Sequence, residues 1–180
     1  GSDFDKQDNF WFVQSRIDKG LIKLTPEGQF QTIDISNIIN AEDELALGKL
    51  VISREGYVFF GAVSSGLVGY NPTTNEFNKI GEALGNGNLP STDIKALAFD
   101  NQNRLWIGTR KGLRVLYSAR NFFESGADID SQPIIILDDG VPQELLFLQS
   151  ITDIEVDGSN NKWVSTATSG VFYLSSNGQE

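Results

Sequence analysis

The chain has no cysteine, no histidine and no methionine among its 180 residues. Without cysteine there is no disulfide, no thiolate nucleophile and no thiolate zinc ligand. Without histidine the side chain that most often moves protons near neutral pH is missing, and a serine nucleophile would lack its usual base. Without methionine there is no natural start. Gly1 and Ser2 therefore read as a cloning scar, and the remainder as a piece cut from a longer chain. Cations are also scarce. There are 14 Lys and Arg against 24 Asp and Glu, a net charge of −10 that repels phosphate backbones and argues against general nucleic-acid binding. Long apolar runs are absent too. The longest candidate, Pro133 to Leu137, is strand-sized and far from the ~20 residues of a membrane-spanning helix. What is present is 39% hydrophobic and 21% charged residues, the balance of a folded domain rather than a disordered tail.

The informative feature is an internal repeat. Asp5 precedes Trp11 by six residues, Asp100 precedes Trp106 by six, and Asp157 precedes Trp163 by six; Ser53 and Phe59 repeat the spacing with other residue types. A Gly–aliphatic pair follows each aromatic: Gly20-Leu21, Gly66-Leu67, Gly112-Leu113 and Gly170-Val171. The four aromatics lie at intervals of 48, 47 and 57 residues. A period in that range built from short strands is the signature of a β-propeller, in which each unit is one blade. The long third interval places an insertion between Asn121 and Gln149.

Each unit resolves into strands. Ile94 to Asp100 alternates and reads as the innermost strand. Asp100 is placed to cap the Asn101–Asn103 turn through its carboxylate. Leu105 to Thr109 reads as the second strand, with Gly108 allowing a neighbouring strand close approach. Gly112 is expected to take positive φ in the next turn, and Gly112 to Tyr117 to form the third strand. Outermost strands are expected at Gln29–Asp34, Glu76–Ile80 and Pro133–Asp138. Asn37 to Leu47 and Val141 to Leu148 read as short helical connections, the second because of Pro142 and Glu144. The expectation is an all-β propeller arc of about four blades of short antiparallel strands. Its units are about 3–34, 47–80, 93–138 and 150–180. The first unit keeps only Phe4-Asp5 of an innermost strand and the last lacks an outermost one, so the arc reads as a fragment of a larger propeller rather than a closed ring.

Three groups of residues are candidates for chemistry. Arg104, Arg110, Lys111, Arg114 and Arg120 fall within 17 residues with no acid among them. Of these, Arg110, Lys111 and Arg114 are the candidate ligand-binding residues for an anionic group, phosphate or carboxylate. The plainer reading is a solvated surface that offsets Glu124, Asp128 and Asp130. The recurring aromatics could form a sugar-stacking platform, but a strict repeat position points to packing between blades. Tyr70, Tyr117 and Tyr173 are better placed for exposed contacts. The Asp-rich turns at Asp5 and Asp157 lack the oxygen count and the terminal bidentate Glu of a calcium loop, so no metal and no cofactor are expected. Asp138 and Asp139 are adjacent and point to opposite faces of a strand, which excludes a paired-carboxylate hydrolase. No catalytic residues are assigned.

Leu89-Pro90-Ser91-Thr92-Asp93-Ile94, Phe99-Asp100, Leu105-Trp106-Ile107-Gly108-Thr109 and Gly112-Leu113 resemble the two-component-regulator propeller repeat, common in Bacteroidetes and in the periplasmic sensors of hybrid histidine kinases. Pro133 to Gly140, Ile151 to Gly158, and Asn160 to Thr166 running on from Ser169 to Tyr173, are similar to the surface propellers of the type IX secretion system. Units one and two depart from the pattern, since unit two lacks both the Asp and the Trp. That second resemblance implies a non-catalytic scaffold in protein secretion and cell-surface attachment. Its expected partners are other secretion-system proteins and an anionic lipopolysaccharide or other glycan, and its place is outside the cytoplasm, with no membrane span in this piece. The alternative it leaves open is a periplasmic ligand-sensing propeller of a hybrid two-component histidine kinase.

Overall fold

The computed structural model describes residues 1–39 and 46–176. The first sheet runs β1 (Ser2–Phe4), β2 (Phe10–Val13), β3 (Leu21–Leu24) and β4 (Phe30–Ile33) in spatial as well as chain order. The second repeats this with β5 (Leu47–Ile52), β6 (Val58–Ala62), β7 (Gly66–Asn71) and β8 (Glu76–Ile80). The third has three strands, β9 (Ile94–Phe99), β10 (Leu105–Thr109) and β11 (Gly112–Leu116). After a single 3-10 turn at Ala119–Asn121 comes a separate hairpin, β12 (Ile135–Asp138) and β13 (Val141–Glu144). The last sheet is β14 (Ile151–Val156), β15 (Lys162–Thr166) and β16 (Val171–Leu174). All pairings are antiparallel.

The sheets stack as blades, and each junction holds one apolar core. Trp11 and Leu21 pack with Leu50, Val58, Phe60 and Val68 between blades one and two. Phe59 and Leu67 pack with Leu97, Leu105 and Ile107 between blades two and three. Trp106 and Val115 pack with Ile151, Ile154 and Val164 between blades three and four. Burial follows from this order. Every residue of β6 and β10 is buried, because blades two and three have a neighbour on each face. β15 buries Lys162 and Val164 against blade three and leaves Trp163 outward, the period-two alternation of a strand covered on one side only. Two glycines make the close approach possible. A Cβ on Gly61 would lie 2.7 Å from Cβ of Ile94, and one on Gly108 would lie 2.5 Å from Cγ2 of Ile151. Each glycine thus receives the first inner-strand residue of the next blade.

Three expectations need correction. The first blade does have an innermost strand, because Ser2 to Phe4 pairs with Phe10 to Phe12. Pro133–Asp138 is not the outermost strand of blade three. That position holds one bridge, Val115 with Gln132, while Ile135–Asp138 turns back to pair with Val141–Glu144. The second segment is therefore a strand and not a helix. The cause is Asp139-Gly140, whose φ values of +48° and +80° make the tight two-residue turn of a hairpin. In the other helical expectation, residues 40–45 lie outside the described residues.

Candidate functional site

One rim of the arc is built from the turns between first and second strands. Asp5 accepts the backbone N–H groups of Gln7 and Asn9 at 2.9 and 3.0 Å. Asp100 does the same for Gln102 and Arg104, and Asp157 for Ser159 and Asn161. Three residues after each Asp the backbone is left-handed, at Asp8, Asn103 and Asn160. Asp and Asn tolerate that conformation best among residues with a side chain. The carboxylate has a second task, accepting the indole N–H of Trp11 at 2.8 Å from Asp5 and of Trp106 at 3.0 Å from Asp100. Six residues is thus the spacing that brings an Asp across its turn to the indole of its own blade. Burial works against the charge on Asp5 and Asp100, yet these hydrogen bonds win and hold both carboxyl groups below the ordinary range. The turns also join blades: Asn103 Oδ1 accepts from Arg54 N, and Asn160 Oδ1 from Asn101 N.

At blades one and two this rim opens into a cavity of about 300 Å³, lined by Asp5, Lys6, Trp11, Lys23, Arg54 and Glu55 among others. At blades three and four the protein supplies its own cation. Lys162 is fully buried, and its Nζ donates to the carbonyls of Asn160 at 2.7 Å and Ser176 at 3.3 Å. It lies 3.5 Å from Asp100 and 4.8 Å over the Trp106 ring. Arg104 also pairs with Asp100, at 2.6 Å.

The opposite rim carries the turns between second and third strands, and here the basic residues separate. Arg110 and Lys111 are both exposed at the β10–β11 turn, where Gly112 has the positive φ expected of it, +143°. Arg114 is turned inward and only 8% exposed. It donates to the Leu113 and Asn88 carbonyls and is paired with Glu144, so its charge pins the hairpin to blade three and is not offered to solvent. Arg104 sits at the far end of β10, on the other rim. Arg120 is exposed too, but in the 3-10 turn that follows β11. The five basic residues are therefore dispersed, and Arg110 with Lys111 is the exposed pair at the β10–β11 turn.

The aromatics divide in the same way. Trp11, Phe59 and Trp106 are buried between blades, while Trp163 is 46% exposed, against Tyr173 at a ring separation of 5.0 Å. Tyr117 is exposed, but Tyr70 is buried and donates its hydroxyl to Asn75. Two functional features were missed in the sequence. One is the buried Lys162, legible as a lysine at the position that Phe10, Val58 and Leu105 occupy in the other units. The other is the run Leu145-Leu146-Phe147-Leu148, hidden by the helical reading. Its first two residues are buried and its last two exposed. Among the described residues, no helix is long and apolar enough to cross a membrane and no cluster of acids is arranged to hold a metal.

Residues 88–111 match the family model described as Two component regulator propeller. No curated protein matches the sequence. Among solved structures, the whole chain superposes on PorZ, described as an essential bacterial surface component of the type-IX secretion system of Porphyromonas gingivalis, with a TM-score of 0.84 and 20% identity over 26% of that chain. The extracellular domain of a hybrid two component system of B. thetaiotaomicron superposes on 97% of this chain and 21% of its own, with a TM-score of 0.62 and 17% identity. Virginiamycin B lyase of Staphylococcus aureus matches 99% of this chain and 53% of its own at 12% identity and a TM-score of 0.67. The chain therefore spans about a quarter of PorZ and half of the lyase. At these identities the likeness establishes the fold: the chain is an all-β propeller arc, within which residues 88–111 match the two-component-regulator propeller repeat.

Proposed function

We propose that the chain is a non-catalytic binding and scaffold propeller of a Bacteroidetes type IX secretion and surface-attachment system, working outside the cytoplasm beside other secretion proteins. The observation that carries this reading is the superposition of the whole chain on PorZ, much closer than on the sensor domain or the lyase. The absence of histidine and cysteine supports a binding role over a catalytic one. Its anionic ligand is a lipopolysaccharide glycan, met by Arg110 and Lys111 at the open β10–β11 turn. Titration with delipidated lipopolysaccharide chains tests this. Binding that is lost in Arg110→Ala/Lys111→Ala supports the assignment, and a chain that binds no anionic glycan removes it.

A second reading, a ligand-sensing propeller of a hybrid two-component kinase, is favoured by the family match over residues 88–111. The parent gene separates the two. Further propeller repeats and a β-rich terminal domain support the secretion reading; one apolar helix of ~20 residues followed by a kinase supports the sensor.

A further inference from the structure

The loop after β13 combines exposed apolar residues with two exposed cations of the same rim. Leu145 and Leu146 are buried in the core between blades three and four, while Phe147 and Leu148 are 59% and 63% exposed. This exposure is enforced by the fold. Leu146 and Leu148 have φ of +57° and +58°, a left-handed conformation that bulky side chains rarely adopt and that the surrounding bonds must impose. Those bonds are present: Leu145 N donates to the Ile134 carbonyl at 2.8 Å, Gln149 N to that of Leu146 at 3.1 Å, and Leu148 N to that of Lys111 at 3.1 Å. The last bond seats the apolar tip directly against the Arg110-Lys111 turn. The nearest acid of the hairpin, Glu144, is already paired with Arg114.

We propose that this tip is a docking element for an anionic lipid surface, with Phe147 and Leu148 entering the acyl boundary and Arg110 and Lys111 meeting headgroup phosphates. Apolar residues that insert, flanked by cations that stay at the headgroups, are what such an interface selects. A protein surface would satisfy the apolar pair but gives no reason for two adjoining cations that pair with no acid among the described residues. The overall charge of −10 opposes approach to an anionic surface, but charges beyond about 8–10 Å are screened at physiological salt, so the local pair governs close contact. The inference rests on the preceding reading only for the availability of Arg110 and Lys111.

The test is co-sedimentation of the full chain with glycan-free vesicles of phosphatidylcholine, with and without phosphatidylglycerol. The chain is expected to bind the phosphatidylglycerol vesicles and not the neutral ones. Phe147→Ser/Leu148→Ser should lower binding at least ~tenfold, since it removes two inserted apolar side chains. Arg110→Ala/Lys111→Ala should lower it several-fold and abolish the preference for phosphatidylglycerol. A Phe147→Trp variant, quenched by brominated lipid, checks insertion without a loss of function. A folded chain that ignores both vesicles overturns the inference even if it binds delipidated glycan, whereas vesicle binding without glycan binding leaves it standing and removes the glycan reading. Binding that needs the cations but not Phe147 and Leu148, and that inorganic phosphate competes away, marks a simple anion site. Dimers in sedimentation equilibrium that the serine variant disperses mark a second copy as the occupant. Either of these also overturns it.

Discussion

The junction between blades two and three and the junction between blades three and four use one repeat in two ways. In the first, Phe59 lies in an apolar cluster with Leu105 and Ile107 and packs edge-on against Phe99 and Phe122. In the second, Trp106 meets a blade in which Lys162 stands at the position of Leu105. A buried ammonium costs several kcal/mol unless it is paired and hydrogen-bonded. Here two carbonyls, the Asp100 carboxylate and the face of an indole supply the partners. Burial still pushes the ammonium below its ordinary pKa, with the attraction of Asp100 only partly restoring it. One slot can thus be filled by hydrocarbon or by charge, provided the preceding blade contributes the counter-ion.

The most forceful way to break this difference is Asp100→Ala. It removes the cap of a turn, the acceptor for Trp106, and the counter-ion of both Lys162 and Arg104. A loss of about 3–5 kcal/mol is expected, because a buried charge is left without its partner. Asp5→Ala removes a cap, the indole acceptor and the acceptor of the Asn9 amide but strands no buried cation, so it should cost distinctly less. Urea unfolding of both variants decides the point, and equal losses would show that Lys162 draws nothing from Asp100.

The converse change sharpens the comparison and has a smaller effect. Lys162→Leu makes the second junction resemble the first and should be neutral or stabilising, by up to about 1–4 kcal/mol. In combination it should also relieve part of the loss in Asp100→Ala, a non-additivity that a double-mutant cycle measures. A large destabilisation by Lys162→Leu alone would mean that the lysine is needed for more than filling space.

The same contrast shows what was legible in the sequence. The six-residue spacing and the Gly–aliphatic pairs located β2, β6, β10 and β15; in β2 and β10 the reason is one local geometry, an Asp reaching across its turn to an indole, while β6 keeps the spacing with Ser53 and Phe59 in their place. The fate of each aromatic was not local. Trp163 has the spacing of Trp106 and is exposed because no blade of this chain covers that face. Arg114 looked like Arg110 and Lys111 in sequence, but a strand alternates, and Glu144 from the hairpin waits on its side. That hairpin was misread because Pro142 suggested a helix start. Asp139-Gly140 was the stronger signal, and an edge strand tolerates proline.

The smallest expected effect is on pH dependence, and it too separates the junctions. Asp5 and Asp100 are held below their ordinary value of 3.8, so each contributes stability above that pH that is lost as the pH falls through the folded-state value. Acid unfolding should therefore involve both junctions that contain an Asp–Trp pair. Lys162 acts with the same sign but for the opposite reason: its folded-state pKa also lies below the ordinary 10.5, here because burial disfavours its charged form. Its unfolded form holds the proton more tightly, so stability should rise with pH from the folded-state value and level off above 10.5, where both forms become neutral. No such rise is expected of a junction lined by Leu105, nor of Lys162→Leu. Thermal midpoints of wild type and Lys162→Leu across the alkaline range provide the measurement. Parallel curves would mean that the ammonium is as well solvated by its carbonyl, carboxylate and indole partners as it is by water.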